Sequence, residues 1–307
     1  MIKNSMKRIL LCLFVGACLI QTAQAQLQYG FKTGVNFSRF NGPSETNLNG
    51  MELETFDNIT GFHIGATLTY EINDAFSLQT ELLFSKQGTK YTYEGQGYRY
   101  FRDQTNTKLA NGNIQYQLNV NNAYVTIPIL VQGRWKDLEI SGGFYGGFLL
   151  SSNGEGAFTF TGKTVPLNNT VYGIYEGSGG AQVEDIEYLL DHNYRKDGIG
   201  EATGDEFFKV RADNQLVEQS KQVGAYYDFT EDRGSIYNNF DYGLMGGLTW
   251  YISSSLYLGG RFQFGLGDVT NNDADMAKAS LGDNGEVLYR DDKDKNLMIQ
   301  ISVGFKF

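Results

Sequence analysis

From Leu27 the chain alternates. Leu27, Tyr29, Phe31, Val35 and Phe37 fall on odd positions, and Gln28, Lys32, Asn36 and Ser38 on even ones. A period of two is that of a β-strand with one apolar face. The pattern returns in Phe62, Ile64, Ala66, Leu68 and Tyr70. It resumes after Asn73-Asp74 in Phe76, Leu78, Thr80, Leu82 and Phe84, which predicts a hairpin. A second hairpin is predicted from Val125, Ile127, Ile129, Val131 and Trp135 to Leu138, Ile140, Phe144 and Phe148, turning at Lys136-Asp137. A third turns at Ser253, Ser254 and Ser255, between Tyr242, Leu244, Leu248 and Trp250 and Leu256, Leu258, Phe262 and Phe264. Leu297, Ile299, Ile301, Val303, Phe305 and Phe307 form the last strand. Eight strands result, each long enough for the roughly 9–11 residues with which a tilted strand crosses a bilayer.

The connections and the two faces decide what kind of sheet this is. Segments 40–58, 88–122, 151–239 and 267–294 are long, and the turns between them are short. Transmembrane barrels show this asymmetry: an even strand count leaves both termini and the short turns in the periplasm and the long loops outside. The apolar faces carry no charge within the span; Arg39, Lys86 and Lys295 stand only at the loop ends. Aromatics on that face gather at two levels. Tyr29, Tyr70, Phe76, Trp135, Trp250 and Phe307 lie near the short turns, and Phe37, Phe62, Phe84, Phe148, Tyr242 and Phe264 near the long loops, as in the girdles of a membrane barrel. The opposite face carries Lys32, His63, Glu71, Glu81, Arg134, Glu139, Asp241, Arg261 and Lys306. A barrel lumen tolerates that load and a soluble core does not. A soluble barrel of lipocalin type explains the alternation alone, but not the uncharged face, the girdles and the loop asymmetry. The expected fold is all-β: an eight-stranded antiparallel up-and-down transmembrane β-barrel with long extracellular loops, or ten strands if a hairpin of the third loop enters the membrane.

The ends and the charge refine this picture. Lys3, Lys7 and Arg8 precede an apolar stretch from Ile9 to Ile20 and then Ala23-Gln24-Ala25, the pattern of a cleaved signal peptide. Residues 1–25 are read as that leader, and 26–307 as the barrel domain with a loop insertion at 151–239. Val15-Gly16-Ala17-Cys18 offers a lipoprotein box as the competing cleavage. Both cysteines, Cys12 and Cys18, lie in the leader, so disulfides play no part in the mature chain. That chain holds 22 basic residues against 35 acidic ones, which argues against nucleic acid as a partner. Pro128 interrupts the fourth strand, where its missing N–H predicts a bulge or kink.

Several segments resemble a known family. Tyr29-Gly30-Phe31-Lys32-Thr33-Gly34-Val35-Asn36-Phe37, Tyr124-Val125-Thr126-Ile127-Pro128-Ile129-Leu130-Val131, Asp241-Tyr242-Gly243-Leu244 and Arg261-Phe262-Gln263-Phe264-Gly265-Leu266 are similar to the recurring segments of the PorT-like outer-membrane β-barrel family. The likeness covers the strands, about half of the mature chain, and includes the Ile-Pro of the fourth strand. Thr126 stands where the family often has Glu, so no role of that carboxylate carries over. The resemblance implies an outer-membrane location, and it implies that Phe305 and Phe307 belong to a C-terminal signal read by the outer-membrane insertion machinery. The family's namesake is associated with a secretion apparatus, but the long third loop departs from it, so the resemblance implies a location and a fold rather than a task.

Catalytic chemistry is sparse. Asp191-His192 in the third loop is the one pair that suggests a hydrolase at the barrel rim, and a solvated loop pair is the plainer reading. With two histidines and no mature cysteine, no zinc site is expected. Gly198, Gly200 and Gly204 have the wrong spacing for a nucleotide loop. Segment 267–294 has eight acids against three bases, including Asp273, Asp275, Asp291 and Asp292, without the spacing of a calcium loop. In the third loop, Phe158 to Phe160 and Val223, Ala225, Tyr227 and Phe229 predict a projecting hairpin, and Val183, Ile186, Leu189 and Leu190 a short helix. Tyr91, Tyr93, Tyr98, Tyr100 and Phe101 in the second loop suit either packing or contact with sugars or protein. The lumenal charges, with Lys32, Glu81, Arg134, Asp241 and Arg261 at their centre, are balanced and should interlock, and Tyr145, Tyr251 and Tyr257 should fill space beside them. The expected function is a non-enzymatic structural, binding or secretion-assembly component without cofactor. Its expected partners are membrane lipid, the insertion machinery and a secretion or surface-glycan complex. A small diffusion pore and a rim hydrolase are the alternatives.

Overall fold

Strands form where the alternation predicts them, and several run much further. The computed structural model describes residues 26–47, 49–102, 107–164, 182–212, 215–229, 231–274, 278–281, 287–289 and 292–307. The leader, Cys12 and Cys18 lie outside these. The strands are β1 (Leu27–Asn41), β2 (Glu54–Asp57), β3 (Ile59–Glu71), β4 (Phe76–Arg102), β5 (Thr107–Trp135), β6 (Leu138–Thr164), β7 (Gln182–Asn193), β8 (Phe207–Ala212), β9 (Gln215–Ser220), β10 (Gln222–Val223), β11 (Phe240–Tyr251), β12 (Leu256–Gly265), β13 (Lys278–Leu281), β14 (Val287–Tyr289) and β15 (Lys295–Lys306). β1, β3, β4, β5, β6, β11, β12 and β15 pair antiparallel in that order, and β15 closes the ring on β1. The barrel therefore has eight strands and not ten: β7 joins β6 only from Asn153 outward, beyond the aromatic level of Phe148.

The ring turns its apolar face outward. Tyr29, Phe31, Ile64, Ile129, Phe144, Trp250 and Ile301 are exposed, while Asn36, His63, Glu81 and Gln300 on the other face are buried. So continuous an exposed apolar belt has the character of a membrane-facing surface. At the long-loop edge Lys86 and Lys295 lie 5.8 Å from the rings of Phe62 and Phe264, an anchoring arrangement for the headgroup level. Gln26 and Phe307 sit at the short-turn edge, where the N–H of Phe307 donates to the carbonyl of Tyr29 at 2.8 Å. The turn at Lys136 is tight enough to hold that residue at φ 58°.

Pro128 is accommodated differently from the sequence expectation. The β4–β5 ladder skips the two positions around Pro128 and resumes in the same register, with Thr80 opposite Ile129 and Leu83 opposite Thr126. Thr80 Oγ1 donates to the Pro128 carbonyl at 2.9 Å, which returns one hydrogen bond at the gap. The actual bulge faces β6, at Ala123 and Tyr124.

Above the ring the long connections are mostly sheet. β4, β5 and β6 continue past the membrane level, so 88–102 and 107–122 are the two upper arms of one long antiparallel pair rather than a loop. β2 adds to β4, β7 adds to β6 and β10 to β7, giving an extension of six strands. The helix expected around Val183 to Leu190 is a correction: these residues lie in β7. Ile186, Tyr188, Leu190 and His192 are buried there, while Glu187, Leu189 and Asp191 are exposed, a period of two. The unpaired edge of β6 offered a ladder of hydrogen bonds, and that long-range pairing outweighed a spacing compatible with either structure. The expected hairpin between Phe158 and the Val223 segment is likewise replaced. Phe158 and Phe160 pair with β7, and only Val223 enters a strand, parallel to β7. Segments 224–239 and 266–274 fold against this sheet and bury Tyr226, Tyr227, Phe229, Ile236, Tyr237, Val269 and Ala274. The main apolar core of the molecule is thus outside the ring, joined by Phe40, Leu118, Phe158, Tyr188 and Tyr194; within the ring only Leu130, Tyr145 and Met245 cluster.

Candidate functional site

Two places concentrate buried polar chemistry: the lumen and a cavity in the extension. In the lumen, Glu81 on β4 lies between two cations. Lys32 Nζ from β1 is 2.8 Å from Oε2, and Arg261 from β12 donates through Nη2 to Oε1 at 2.7 Å and through Nη1 to Oε2 at 2.8 Å. The Glu81 side chain has no exposure. Gln79 Nε2 adds a bond to Glu81 Oε1 at 2.5 Å. Gln132 Nε2 bridges Gln79 Oε1 and Glu139 Oε1, each at 2.8 Å, and Glu139 also takes the hydroxyl of Tyr251 at 3.0 Å and faces Lys306 Nζ at 3.6 Å. Above these, His63 sits between Asn36 Oδ1 at 2.7 Å and Ser302 Oγ at 2.8 Å. The free space among Lys32, Glu81, Glu139, Arg261 and Lys306 is about 20 Å³, room for about one water. Aromatics close the remainder: a Cβ added at Gly304 would lie 2.1 Å from the ring of Tyr257, so that glycine makes space for the tyrosine.

Two residues expected in this network stand apart. Arg134 is exposed at the rim, with Nε donating to the Lys136 carbonyl at 3.0 Å and its guanidinium 4.0 Å from the Tyr251 ring centre. Its cross-strand neighbour Glu139 already has its oxygens occupied by Gln132, Tyr251 and Lys306. Asp241, on β11 at the long-loop edge, is buried and meets no cation among the described residues. Tyr145 Oη and Asn296 Nδ2 both donate to its Oδ2 at 2.9 Å, and Oδ1 has no partner. Phe305 and Phe307 meet edge to face at 5.1 Å on the outer face at the end of β15, beside Phe31.

In the extension, Arg99 on β4 is buried. It forms an ion pair with Asp228, and its guanidinium carbon lies 4.1 Å from the ring of Tyr188, 4.4 Å from Phe158 and 5.0 Å from Tyr227. Its Nε and Nη2 are buried and have no hydrogen-bond partner. Beside it is a cavity of about 110 Å³ walled by Tyr91, Tyr93, Tyr116, Tyr194, Ile114 and Ala274, with Gln96, Arg99, His192 and Asp228 as its main polar members. The sequence does not bring this place together, because Arg99 and Asp228 are distant in the chain; the tyrosines of the second loop, His192 and the alternation from Val223 to Phe229 are its scattered traces.

The Asp191-His192 pair is not assembled. Successive residues of a strand face opposite ways, so Asp191 points out to Gln222 Nε2 at 3.0 Å while His192 is buried with Nδ1 3.1 Å from the Tyr194 hydroxyl. Burial holds the imidazole down at about 4, so it is neutral at pH 7. The unfolded chain, with an ordinary histidine, takes up a proton below about pH 6.5, and the folded extension resists until about 4. Stability should therefore fall by up to about 3 kcal/mol as pH drops through that window. The His192→Phe variant should lose this pH dependence, as followed by denaturant midpoints at pH 7 and pH 4.5. Among the described residues no three acidic or imidazole groups converge as metal ligands, and Asp275 and Asp291 lie outside those residues.

The family described as "Outer membrane protein beta-barrel domain" matches residues 21–271. The chain belongs to that family. As an outer-membrane β-barrel it belongs to the outer membrane. Solved structures with similarity to it include Neisserial surface protein A, at 8% identity and TM-score 0.33, covering 91% of this chain and 97% of that one. Ail of Yersinia pestis is similar at 10% identity and TM-score 0.30 over 92% and 99%. The outer-membrane protease OmpT of Escherichia coli is similar at 10% identity and TM-score 0.32 over 92% and 96%. No curated protein matches the chain.

Proposed function

We propose that this outer-membrane barrel is a non-enzymatic binding or assembly component: a closed anchor that carries a folded extension on the cell surface. The observation behind this is the division of the chain's chemistry. The ring is filled by an interlocked polar network with about 20 Å³ of free space, whereas the apolar core and the larger cavity are in the extension. An ion channel calls for a water-filled path, which eight strands with such filling do not leave. Purified protein in planar bilayers should accordingly give no steady conductance; reproducible single-channel steps would replace this reading with the diffusion pore.

In this proposal the short turns and both termini are periplasmic and the extension is extracellular, in keeping with even-stranded barrels. Protease added to intact cells should cut within 195–239 or 266–294 and spare the turns at Lys136 and Ser254. Cutting at those turns in sealed cells reverses the orientation. The likeness to the PorT-like branch, in the segments around Phe31, Pro128, Tyr242 and Phe262, supports a secretion or surface-glycan complex as the partner. It also assigns Phe305 and Phe307 to recognition by the insertion machinery. The divergence of Asp191 and His192 supports the non-enzymatic side of the proposal.

A further inference from the structure

The cavity beside Arg99 combines features that together describe a ligand. Its volume, about 110 Å³, is somewhat below the ~150 Å³ of an engineered cavity that takes up benzene, and the pocket is partly open, so a single ring enters with its substituent toward the opening. Its walls are mostly rings and aliphatic groups, among them Tyr116, Tyr194, Ile114 and Ala274. Its charge is balanced, because Arg99 and Asp228 pair and His192 is neutral. Two N–H groups of Arg99 lack a hydrogen-bond partner, which in a buried guanidinium is a standing deficit that an acceptor atom relieves.

We propose that this cavity binds a small uncharged aromatic molecule bearing one oxygen acceptor, of the size of a methylphenol. The inference rests on the reading that the extension, and not the lumen, engages ligands. A carboxylate is disfavoured because Asp228 would repel it from the Arg99 side of the site. A hexose is disfavoured because its many hydroxyls need polar partners, and three of the tyrosine hydroxyls at the cavity are in use. Those of Tyr91 and Tyr93 bond to Glu54 and to the Gln96 carbonyl, and that of Tyr194 meets His192. The acceptor oxygen takes an N–H of Arg99 after a small shift of the surrounding rings, and the ring of the ligand stacks among the tyrosines.

The test is calorimetric titration of the folded full-length protein, in matched detergent, with p-cresol, toluene, benzoate and glucose. p-Cresol should bind saturably at one site, and toluene, which has the same shape without the oxygen, about tenfold more weakly. Benzoate and glucose should give no saturable signal. Because Arg99 variants endanger the fold, the decisive variant is Ala274→Leu, which fills the cavity from a buried wall position. It should keep the folded band on unheated gels and lose p-cresol binding. No saturable p-cresol binding by the wild type overturns the proposal, as does unchanged binding by Ala274→Leu or preference for benzoate or glucose. Each of these results leaves the closed-anchor reading standing; that reading fails separately, on bilayer conductance.

Discussion

Glu81→Ala should be the most damaging single change in the barrel, costing about 3–5 kcal/mol, because it leaves two buried cations facing each other without their shared acid. The asymmetry of the cluster makes the prediction specific. Arg261 holds both carboxylate oxygens, whereas Lys32 shares them at 2.8 Å and 3.0 Å. Removing Lys32 therefore leaves a complete bidentate pair and relieves repulsion between two cations, so Lys32→Ala should cost no more than about 1 kcal/mol. Arg261→Ala should fall between the two, since Lys32 still answers Glu81. Asp241→Asn should be neutral or stabilising, because an amide oxygen can still accept from Tyr145 and Asn296 and no cation is stranded. Urea unfolding in lipid vesicles, with gel migration of unheated samples as the readout of the folded ring, ranks the four. Equal losses for Lys32→Ala and Glu81→Ala would mean that the cluster is not organised around Glu81.

The barrel was legible in the sequence because lipid imposes a rule on every second residue. A charge on the outer face of Phe31, Ile64 or Ile301 would be costly in the membrane, so the alternation is clean and the aromatic levels mark its two edges. The extension obeys no such rule. Its strands bury Ile186, Tyr188 and Leu190 on one side and expose Glu187 and Asp191 on the other, but over a short stretch the same letters fit one face of a helix. What decided the matter was the free edge of β6, a partner that local spacing does not reveal.

The same limit applies to the lumen. Face is readable from parity, so Lys32, Glu81 and Arg261 were found on the inner side. Height and competition for partners are not, and so Arg134 and Asp241 were grouped with a network they do not join. Arg134 stands directly across from Glu139 in the ladder, yet at the rim it has water and the ring of Tyr251, while Lys306 faces the buried carboxylate. Gln79 and Gln132, which tie Glu139 to Glu81, carry no charge and gave no signal at all.

Asp228→Ala should unfold the extension and leave the ring closed. Arg99 is buried to 2% exposure, and the aromatic faces of Phe158, Tyr188 and Tyr227 attract its charge without satisfying its N–H groups. With the carboxylate gone, Nη1 joins Nε and Nη2 in lacking an acceptor among the neighbours named here, and the loss should be about 3–5 kcal/mol. The ring has its own ladders and its own polar network, so the folded band on unheated gels should persist. Near-ultraviolet dichroism from the stacked tyrosines should collapse, and protease should open segment 182–239. The double variant Arg99→Met with Asp228→Ala separates charge from packing. Methionine fills much of the same space between the rings and needs no acceptor, so the pair should recover more than half of the loss. If the double variant is as damaged as the two single changes added together, Asp228 acts through its backbone neighbours in 224–239 and not through Arg99.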